Sequence, residues 1–211
     1  MTQLLFEFGS GSSVVRRLLR ALSASLASLL SERASTRSVF TKWRSLYGQV
    51  SGLPAAQLDQ VNAGFPFVFK GHREDQAAAS LFILHTYGSL FAKLLVAEAL
   101  CARGLGPCDS FSRSLASLPD DPSLAATLAS ELEGGKIFEV LGLRAFVDNP
   151  VFSWYLDSSP EHLSQILVPF RELLALLAAS DLSQDFGKRD LLRDFYQTLV
   201  PGSLRKSLGE F

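Results

Sequence analysis

Residues 81–100, LFILHTYGSLFAKLLVAEAL, decide the fold of this chain. Wound as a helix, the stretch is apolar on nearly every side, and such a helix has to be buried. It also contains His85, Lys93 and Glu98. Three ionisable groups are costly inside a lipid bilayer, so we expect no membrane span here. The pattern instead predicts a buried central helix at about residues 81–101 of a soluble core.

Helical spacing continues outward from this stretch in both directions. Apolar residues recur every three or four positions over residues 15–30, 36–50 and 163–177, and again from about Lys188 to Val200. Ser159-Pro160-Glu161 has the residues of a helix start, namely an N-cap serine, proline at the first position and an early acid. We therefore predict an all-α fold, an irregular multi-helix bundle around the central helix.

Glycine and proline divide the chain into these segments. The central helix should run from about Glu74 to Arg103 and end at Gly104, Gly106 and Pro107. Residues 104–135 are rich in Ser, Asp, Pro and Gly, and this composition favours an irregular, mobile excursion. Residues 65–69 are the best candidate for a strand, although one strand alone would lack a sheet.

Charge is distributed unevenly, although the chain as a whole carries only −1. Residues 1–50 contain seven basic and two acidic side chains, and residues 186–211 contain five and three, so both ends are basic and the middle is acidic. Solvated helix faces explain this pattern most simply. The alternative is that the basic ends contact phosphates.

Sequence motifs for catalysis or metal binding are missing. The chain has no Gly-rich phosphate loop, no Gly-x-Ser-x-Gly and no paired ligands at metal spacing. Cys101 and Cys108 are too few for zinc, and a disulfide between them has no support in the sequence, so a reducing cytoplasm is the expected location. His85 could act as a base only beside a carboxylate and a cleft, and a core histidine is the simpler interpretation. We predict no catalytic residue and no metal site.

One motif is deceptive. Asn149-Pro150-Val151-Phe152 approaches the Asn-Pro-Pro-aromatic motif with which adenine methyltransferases hold a flipped base. Valine replaces the second proline, and no cofactor-binding Gly motif precedes it. We interpret these residues as a cap for a helical turn that carries Phe152, Trp154 and Tyr155 into the core.

The segment DLLRDFYQTLVPGSLRKSLGEF, residues 190–211, resembles the entry to the catalytic domain of gamma-type DNA adenine-N6 methyltransferases. That family includes type IIG restriction-modification enzymes, type I modification subunits and phage-defence methylases. In it, Arg-x-x-Leu-Gly-Glu-Phe is followed at once by Tyr-Thr-Pro, which helps to bind S-adenosylmethionine. FTKWRSLYGQVSG at residues 40–52, LFILHTY at 81–87 and, more weakly, FSWYL at 152–156 are similar to the family's N-terminal helical region.

The resemblance implies two parts, a helical N-terminal domain over residues 1–185 and a linker helix over 186–211 that leads into a catalytic domain. Gly209, Glu210 and Phe211 would be the incomplete start of the motif for S-adenosylmethionine. The sequence stops before Tyr-Thr-Pro and lacks the other catalytic motifs, so we expect this chain alone to bind no cofactor and to catalyse nothing. The cofactor would belong to the parent enzyme.

The leading hypothesis is therefore a DNA-flanking accessory region of a site-specific adenine methyltransferase. Its partners would be the catalytic domain and, weakly and without sequence preference, DNA. The expected phosphate contacts are basic residues near both ends: Arg16, Arg17, Arg20, Arg205 and Lys206. The alternative is a stand-alone helical interaction domain, and a third possibility is an unrelated enzyme that uses His85 as a base.

Overall fold

The computed structural model describes residues 7–9, 11–46, 73–139, 142–143, 151–180 and 191–199. Its α-helices, in chain order, are α1 (Ser13–Glu32), α2 (Ala34–Leu46), α3 (Arg73–Ala102), α4 (Phe111–Ala116), α5 (Asp121–Thr127), α6 (Lys136–Glu139), α7 (Pro160–Ala179) and α8 (Leu191–Leu199). A π-helical turn spans Leu128–Glu133, and a 3₁₀ turn spans Trp154–Asp157. The strand expected at residues 65–69 lies outside the described residues.

Helix α3 is the buried centre of the fold. Four successive residues, Leu81, Phe82, Ile83 and Leu84, are each no more than 1% exposed. Successive residues of a helix point about 100° apart, so burial of all four means that neighbours surround the helix. The described ranges form helices and turns without any strand. The prediction of an all-α bundle around a central helix is confirmed.

Helix α3 ends where glycine allows the chain to reverse. Gly104 has φ of 69°, a left-handed conformation that suits a residue without Cβ. Its N–H donates to the carbonyl of Cys101, and the N–H of Leu105 donates to the carbonyl of Leu100, each at 2.9 Å. These two bonds form a Schellman motif, which satisfies carbonyls at the helix end. The predicted stop after Arg103 is correct to within one residue.

The segment after α3 corrects the expectation for residues 104–135. It folds into α4, α5 and the π-helical turn, and its apolar side chains face the core: Phe111, Leu115, Leu124, Leu128 and Leu132. Ser110 and Asp120 cap the two short helices by accepting the N–H groups of Arg113 and Ser123. The polar residues that indicated a loop are therefore helix caps and solvent-facing positions of short helices.

Helices α1 and α7 pack along each other. The apolar stripe of α1 is buried, and Ser25 Oγ lies 2.5 Å from the hydroxyl of Ser158, beside the start of α7. Helix α7 begins at the predicted signal, because Ser159 accepts the N–H of His162 and Pro160 follows it. Pro169 lies inside α7 and is buried, and the helix continues past it to Ala179.

Helix α8 lies against α3. The ring of Phe195 is 4.4 Å from that of Phe91 and 5.8 Å from that of Tyr87, measured between centroids. A Cβ on Gly88 would lie 3.5 Å from Leu199 Cδ2, an ordinary van der Waals contact, so Leu199 packs directly over this position of α3. The division into residues 1–185 and 186–211 stays a prediction.

Candidate functional site

The outer face of α1 carries the arginines predicted near the N-terminus. Val15, Leu18, Leu19 and Leu22 of this helix are buried, and the residues that alternate with them, Arg16, Arg17 and Arg20, are exposed and point outward. Arg16 and Arg20 are four residues apart, so they lie one above the other on one helical face. The structure thus places all three predicted side chains on one exposed surface.

Arg17 differs from its two neighbours because it is ion-paired. Both of its terminal nitrogens donate to the carboxylate of Glu172 on α7, with Nη1 2.9 Å from Oε1. This pairing raises the pKa of the Arg17 guanidinium, and the two side chains remain 48% and 43% exposed. The pair therefore links α1 to α7 at the surface, and Arg17 is less available to an external anion than Arg16 or Arg20.

The other cations between residues 13 and 46 also fall into two groups, those with a partner in the fold and those without an acidic partner among the described residues. Arg37 donates from α2 to the carbonyls of Leu30 and Ser31, at 3.1 and 2.9 Å, and so caps the C-terminal end of α1. Arg44 lies 2.5 Å from Asp75. Arg33 and Lys42 are exposed, and like Arg16 and Arg20 they have no acidic partner among the described residues. We call Arg16, Arg20, Arg33 and Lys42 the open cations.

A second group of charges lies in the interior. Lys93 Nζ on α3 is 2.5 Å from Glu133 Oε2 at the end of the π-helical turn, and only 11% and 3% of these side chains are exposed. The hydroxyl of Tyr155 donates to the other oxygen of Glu133 at 2.9 Å. Burial and the nearby carboxylate raise the pKa of Tyr155 well above its ordinary value. The carboxylate of Glu133 thus connects the π-helical turn to α3 and to the 3₁₀ turn.

Glu98, the second acid of this interior, holds the start of α4. Its Oε2 accepts the backbone N–H of Ser112 at 2.8 Å, and the side chain is 7% exposed. A carboxylate in this position satisfies an otherwise orphan N–H in the first turn of a helix. The sequence drew attention to Lys93 and Glu98 but did not reveal their partners. No motif in the sequence marks Glu133, Tyr155 or Ser112 as one of these partners.

His85 lies in an aromatic cluster rather than in a reaction cleft. Its ring is 5.7 Å from Trp43, 6.4 Å from Phe152 and 6.5 Å from Tyr196, measured between centroids. Burial lowers the pKa of His85 to about 4. Trp154 lies beside the cluster and donates from its indole N–H to Thr86 at 2.9 Å. These surroundings are typical of a core histidine, and they favour that interpretation over a general base.

An open cleft of about 300 Å³ lies between α1, α2 and the start of α3. It is mainly apolar, and its lining consists of Leu30, Arg37, Phe40, Thr41, Asp75 and Ala79. The two charged residues of the described lining already have partners within the fold. Arg37 donates to carbonyls at the end of α1, and Asp75 pairs with the guanidinium of Arg44. The described lining residues include no nucleophile–base pair, so the cleft supports no catalytic assignment.

The remaining predicted site residues lie outside the described ranges. These are Arg205, Lys206, Gly209, Glu210 and Phe211, together with Asn149 and Pro150 of the deceptive motif. Within the described ranges no group of three or more His, Cys, Asp or Glu side chains is arranged to hold a metal ion. The 3₁₀ turn after the deceptive motif does carry Trp154 and Tyr155 into the core, as predicted.

Two helices are long and apolar enough to cross a membrane by length and composition, Asp75–Ala102 and Pro160–Ala179. In the fold, 67% of the most apolar window of the first and 39% of that of the second are buried. Core helices of folded proteins pass the same test, so this is weak support for a membrane span.

The candidate site is therefore the open cations, which lie on the outer faces of α1 and α2 and, for Arg33, at the junction between them. The interior charges, by contrast, are already paired. Comparisons with protein-family models, with curated proteins and with solved structures find no match to this chain.

Proposed function

We propose that this chain is a DNA-flanking helical accessory region of a site-specific adenine-N6 DNA methyltransferase and that its open cations contact phosphates. The observation that carries the proposal is the exposed pair Arg16 and Arg20, one helical turn apart on α1 and without an acidic partner among the described residues. Arginine suits this role because its planar fork of donors matches phosphate oxygens and keeps its charge at any physiological pH.

The expected binding mode is electrostatic and independent of sequence. Contacts to phosphates position a protein on the duplex, whereas reading the bases needs side chains that enter a groove. Helix α1 has its apolar face buried against α7 and α3, so it lies on the body of the bundle and presents one cationic face. Such a surface fits the flank of a duplex better than the interior of a groove.

The enzymatic part of the proposal rests on the resemblance of residues 190–211, and of residues 40–52 and 81–87, to gamma-type adenine methyltransferases. In that arrangement a catalytic domain supplies the pockets for S-adenosylmethionine and for the flipped adenine. The helical region described above would hold the duplex beside it. We expect this chain to have no methyl transfer activity on its own.

Fluorescence anisotropy with a labelled duplex tests the DNA contact. We expect a Kd of roughly 10⁻⁴ to 10⁻⁶ M at physiological salt, equal for unrelated sequences. The double variant Arg16→Gln/Arg20→Gln should lower the slope of log affinity against log salt by about two, one for each lost contact. A variant with the same loss of charge elsewhere, Arg113→Gln/Lys136→Gln, should keep most of the slope.

Equal losses in the two variants would mean that only net charge matters, and the proposed face would be wrong. No binding by either the wild-type chain or its variants, with the fold intact, would favour the helical interaction domain instead. The enzymatic context has its own test, which is purification of the tagged chain from its native host. We expect a polypeptide with Tyr-Thr-Pro and Asn-Pro-Pro-aromatic motifs to be linked to it or to co-purify, and that assembly should methylate adenine N6.

A further inference from the structure

The two cysteines of the chain, which the sequence does not connect, lie side by side in the fold. Cys101 Sγ, in the last turn of α3, is 3.7 Å from Cys108 Sγ in the connection to α4. Both are free thiols, Cys101 is 3% exposed and Cys108 is half-buried. A disulfide has a sulfur–sulfur distance of about 2.05 Å, so small side-chain rotations would bring the two atoms into bonding range.

The connection between the cysteines is fixed on both sides. Before Cys108, the Schellman motif at Gly104 turns the chain back over the end of α3. After Cys108, Ser110 caps α4 and Glu98 holds the N–H of Ser112. Because both anchors belong to or pack on α3, Cys108 is held close to Cys101 instead of sampling the range of a flexible loop.

Gly106 is also required for this arrangement. A Cβ at this position would lie 2.4 Å from Cys101 Sγ and 3.1 Å from Cys101 Cα, far closer than real contacts allow. The backbone of residue 106 therefore passes directly over the thiol, and only glycine leaves room for it. This close approach explains how Cys108 can reach Cys101 across so short a connection.

We propose that Cys101 and Cys108 form a thiol–disulfide site that closes reversibly with low-molecular-weight disulfides such as oxidised glutathione. The more exposed thiol of Cys108 reacts first, as its thiolate attacks the glutathione disulfide and one reduced glutathione leaves. Cys101 then loses its proton to solvent and attacks the Cys108 sulfur of the mixed disulfide, which releases the second glutathione. The two cysteines lose two electrons and two protons in total, and the glutathione disulfide becomes two thiols.

Burial raises the pKa of Cys101 to about 12, which fits its assignment as the second thiol to react. The consequence for the fold is local. A disulfide between Cys101 and Cys108 would link the connection between α3 and α4 covalently to the last turn of α3 and hold the start of α4 in place. We expect the oxidised chain to melt roughly 5 °C above the reduced one, because the unfolded chain is then constrained by a closed loop.

Equilibration of the full chain in glutathione redox buffers, followed by acid quench, alkylation and mass spectrometry, tests the proposal. We expect both thiols to disappear together in a monomer that has lost two hydrogen atoms and carries no glutathione. The glutathione ratio at which half of the chain is oxidised gives the effective concentration of one thiol at the other. We expect this concentration to be well above the millimolar value that a short flexible linker would give. An effective concentration at or below millimolar, or disulfide-linked dimers, would overturn it.

Two single variants separate the steps. Cys101→Ser should accumulate one glutathione adduct on Cys108, while Cys108→Ser should react at least tenfold more slowly because Cys101 is buried. The wild-type chain could instead stop at a single glutathione adduct, which is the result expected for Cys101→Ser. That result would show that the geometry does not support a disulfide between Cys101 and Cys108. Circular dichroism of each variant checks that the helical fold is intact.

Discussion

The interior charges of α3 and the exposed charges of α1 differ in what surrounds them. Lys93 and Glu98 have partners on other elements at 2.5 and 2.8 Å, and each is almost closed off from solvent. On α1, Arg17 has a half-exposed partner, whereas Arg16 and Arg20 face solvent. The interior charges are all engaged in holding elements together, whereas on the described surface of residues 13–46 only the open cations remain available to bind a ligand.

The energetic consequences of the two environments differ as well. Removing one member of a buried ion pair leaves a charge without compensation in a medium of low dielectric constant, which costs about 3–5 kcal/mol. Exposed pairs are screened by water and salt, so they contribute little to stability.

The largest effect is expected from Glu133→Gln. This change keeps the shape of the side chain but leaves the Lys93 ammonium buried without its counter-charge, so we expect a loss of about 3–5 kcal/mol in the free energy of unfolding by urea. The double variant Lys93→Met/Glu133→Gln removes both charges and should regain more than half of that loss. A loss below about 1 kcal/mol for the single variant would show that the pair is effectively exposed.

Acid should destabilise the bundle through His85. Its folded pKa is about 4 against an ordinary 6.5, so between these values the unfolded chain binds more protons and stability rises with pH. The contribution, about 3 kcal/mol, should be complete above pH 6.5 and lost as the pH falls to 4. Urea titrations of wild type and His85→Leu across this range isolate the effect, because carboxylates act equally in both. Parallel stability curves would contradict the burial of His85.

A smaller effect is expected from the tyrosine hydroxyls. Tyr155 donates to the charged Glu133, whereas Tyr87 donates to the neutral carbonyl of Phe8 at 2.8 Å, and both are buried. Hydrogen bonds to charged groups contribute about 1.5–3 kcal/mol and neutral ones about 1 kcal/mol. Tyr155→Phe should therefore cost more than Tyr87→Phe in urea unfolding. The reverse order would mean that the charge on Glu133 is not what holds Tyr155.

The smallest effect is expected from Arg17→Gln. Its pair with Glu172 is exposed, so the melting temperature should change by less than about 2 °C, and added salt should shrink the difference between variant and wild type because salt screens the pair. Glu172→Gln serves as the matched variant, and it should strengthen DNA binding slightly because it frees Arg17. A larger drop in melting temperature would place this pair with the interior charges.

The sequence predicts the centre of this fold well because the apolar pattern of α3 is long and its end is clearly marked. A long apolar segment that contains His85, Lys93 and Glu98 and ends at glycine favours a buried helix, and its observed bounds differ from the predicted ones by one residue at each end. The prediction for residues 104–135 is wrong because α4 and α5 have only six and seven residues. Helices that short show too few turns to reveal a period, so their caps, Ser110 and Asp120, look like loop residues.

The candidate site could be predicted only in part for a related reason. Arg16, Arg17 and Arg20 follow from the local pattern of α1, because helical spacing alone determines which side chains point outward. Pairing is different, because Glu172 and Glu133 are far from their partners in the chain and meet them only through tertiary packing. The sequence therefore predicted which of these arginines point outward but could not show that Arg17 is paired with Glu172 and that Arg16 and Arg20 have no acidic partner among the described residues.

The ring of Phe91 brings together two segments that are far apart in the sequence. It lies 4.8 Å from the ring of Phe8 and 4.4 Å from that of Phe195, so the earliest and latest described parts of the chain meet on one side chain of α3. The described part of the chain thus nearly closes on itself, with the segments around Phe8 and Phe195 as spatial neighbours. A circularly permuted chain, with these two segments joined and a connection between helices opened elsewhere, would keep the cyclic order of the described helices and therefore their contacts.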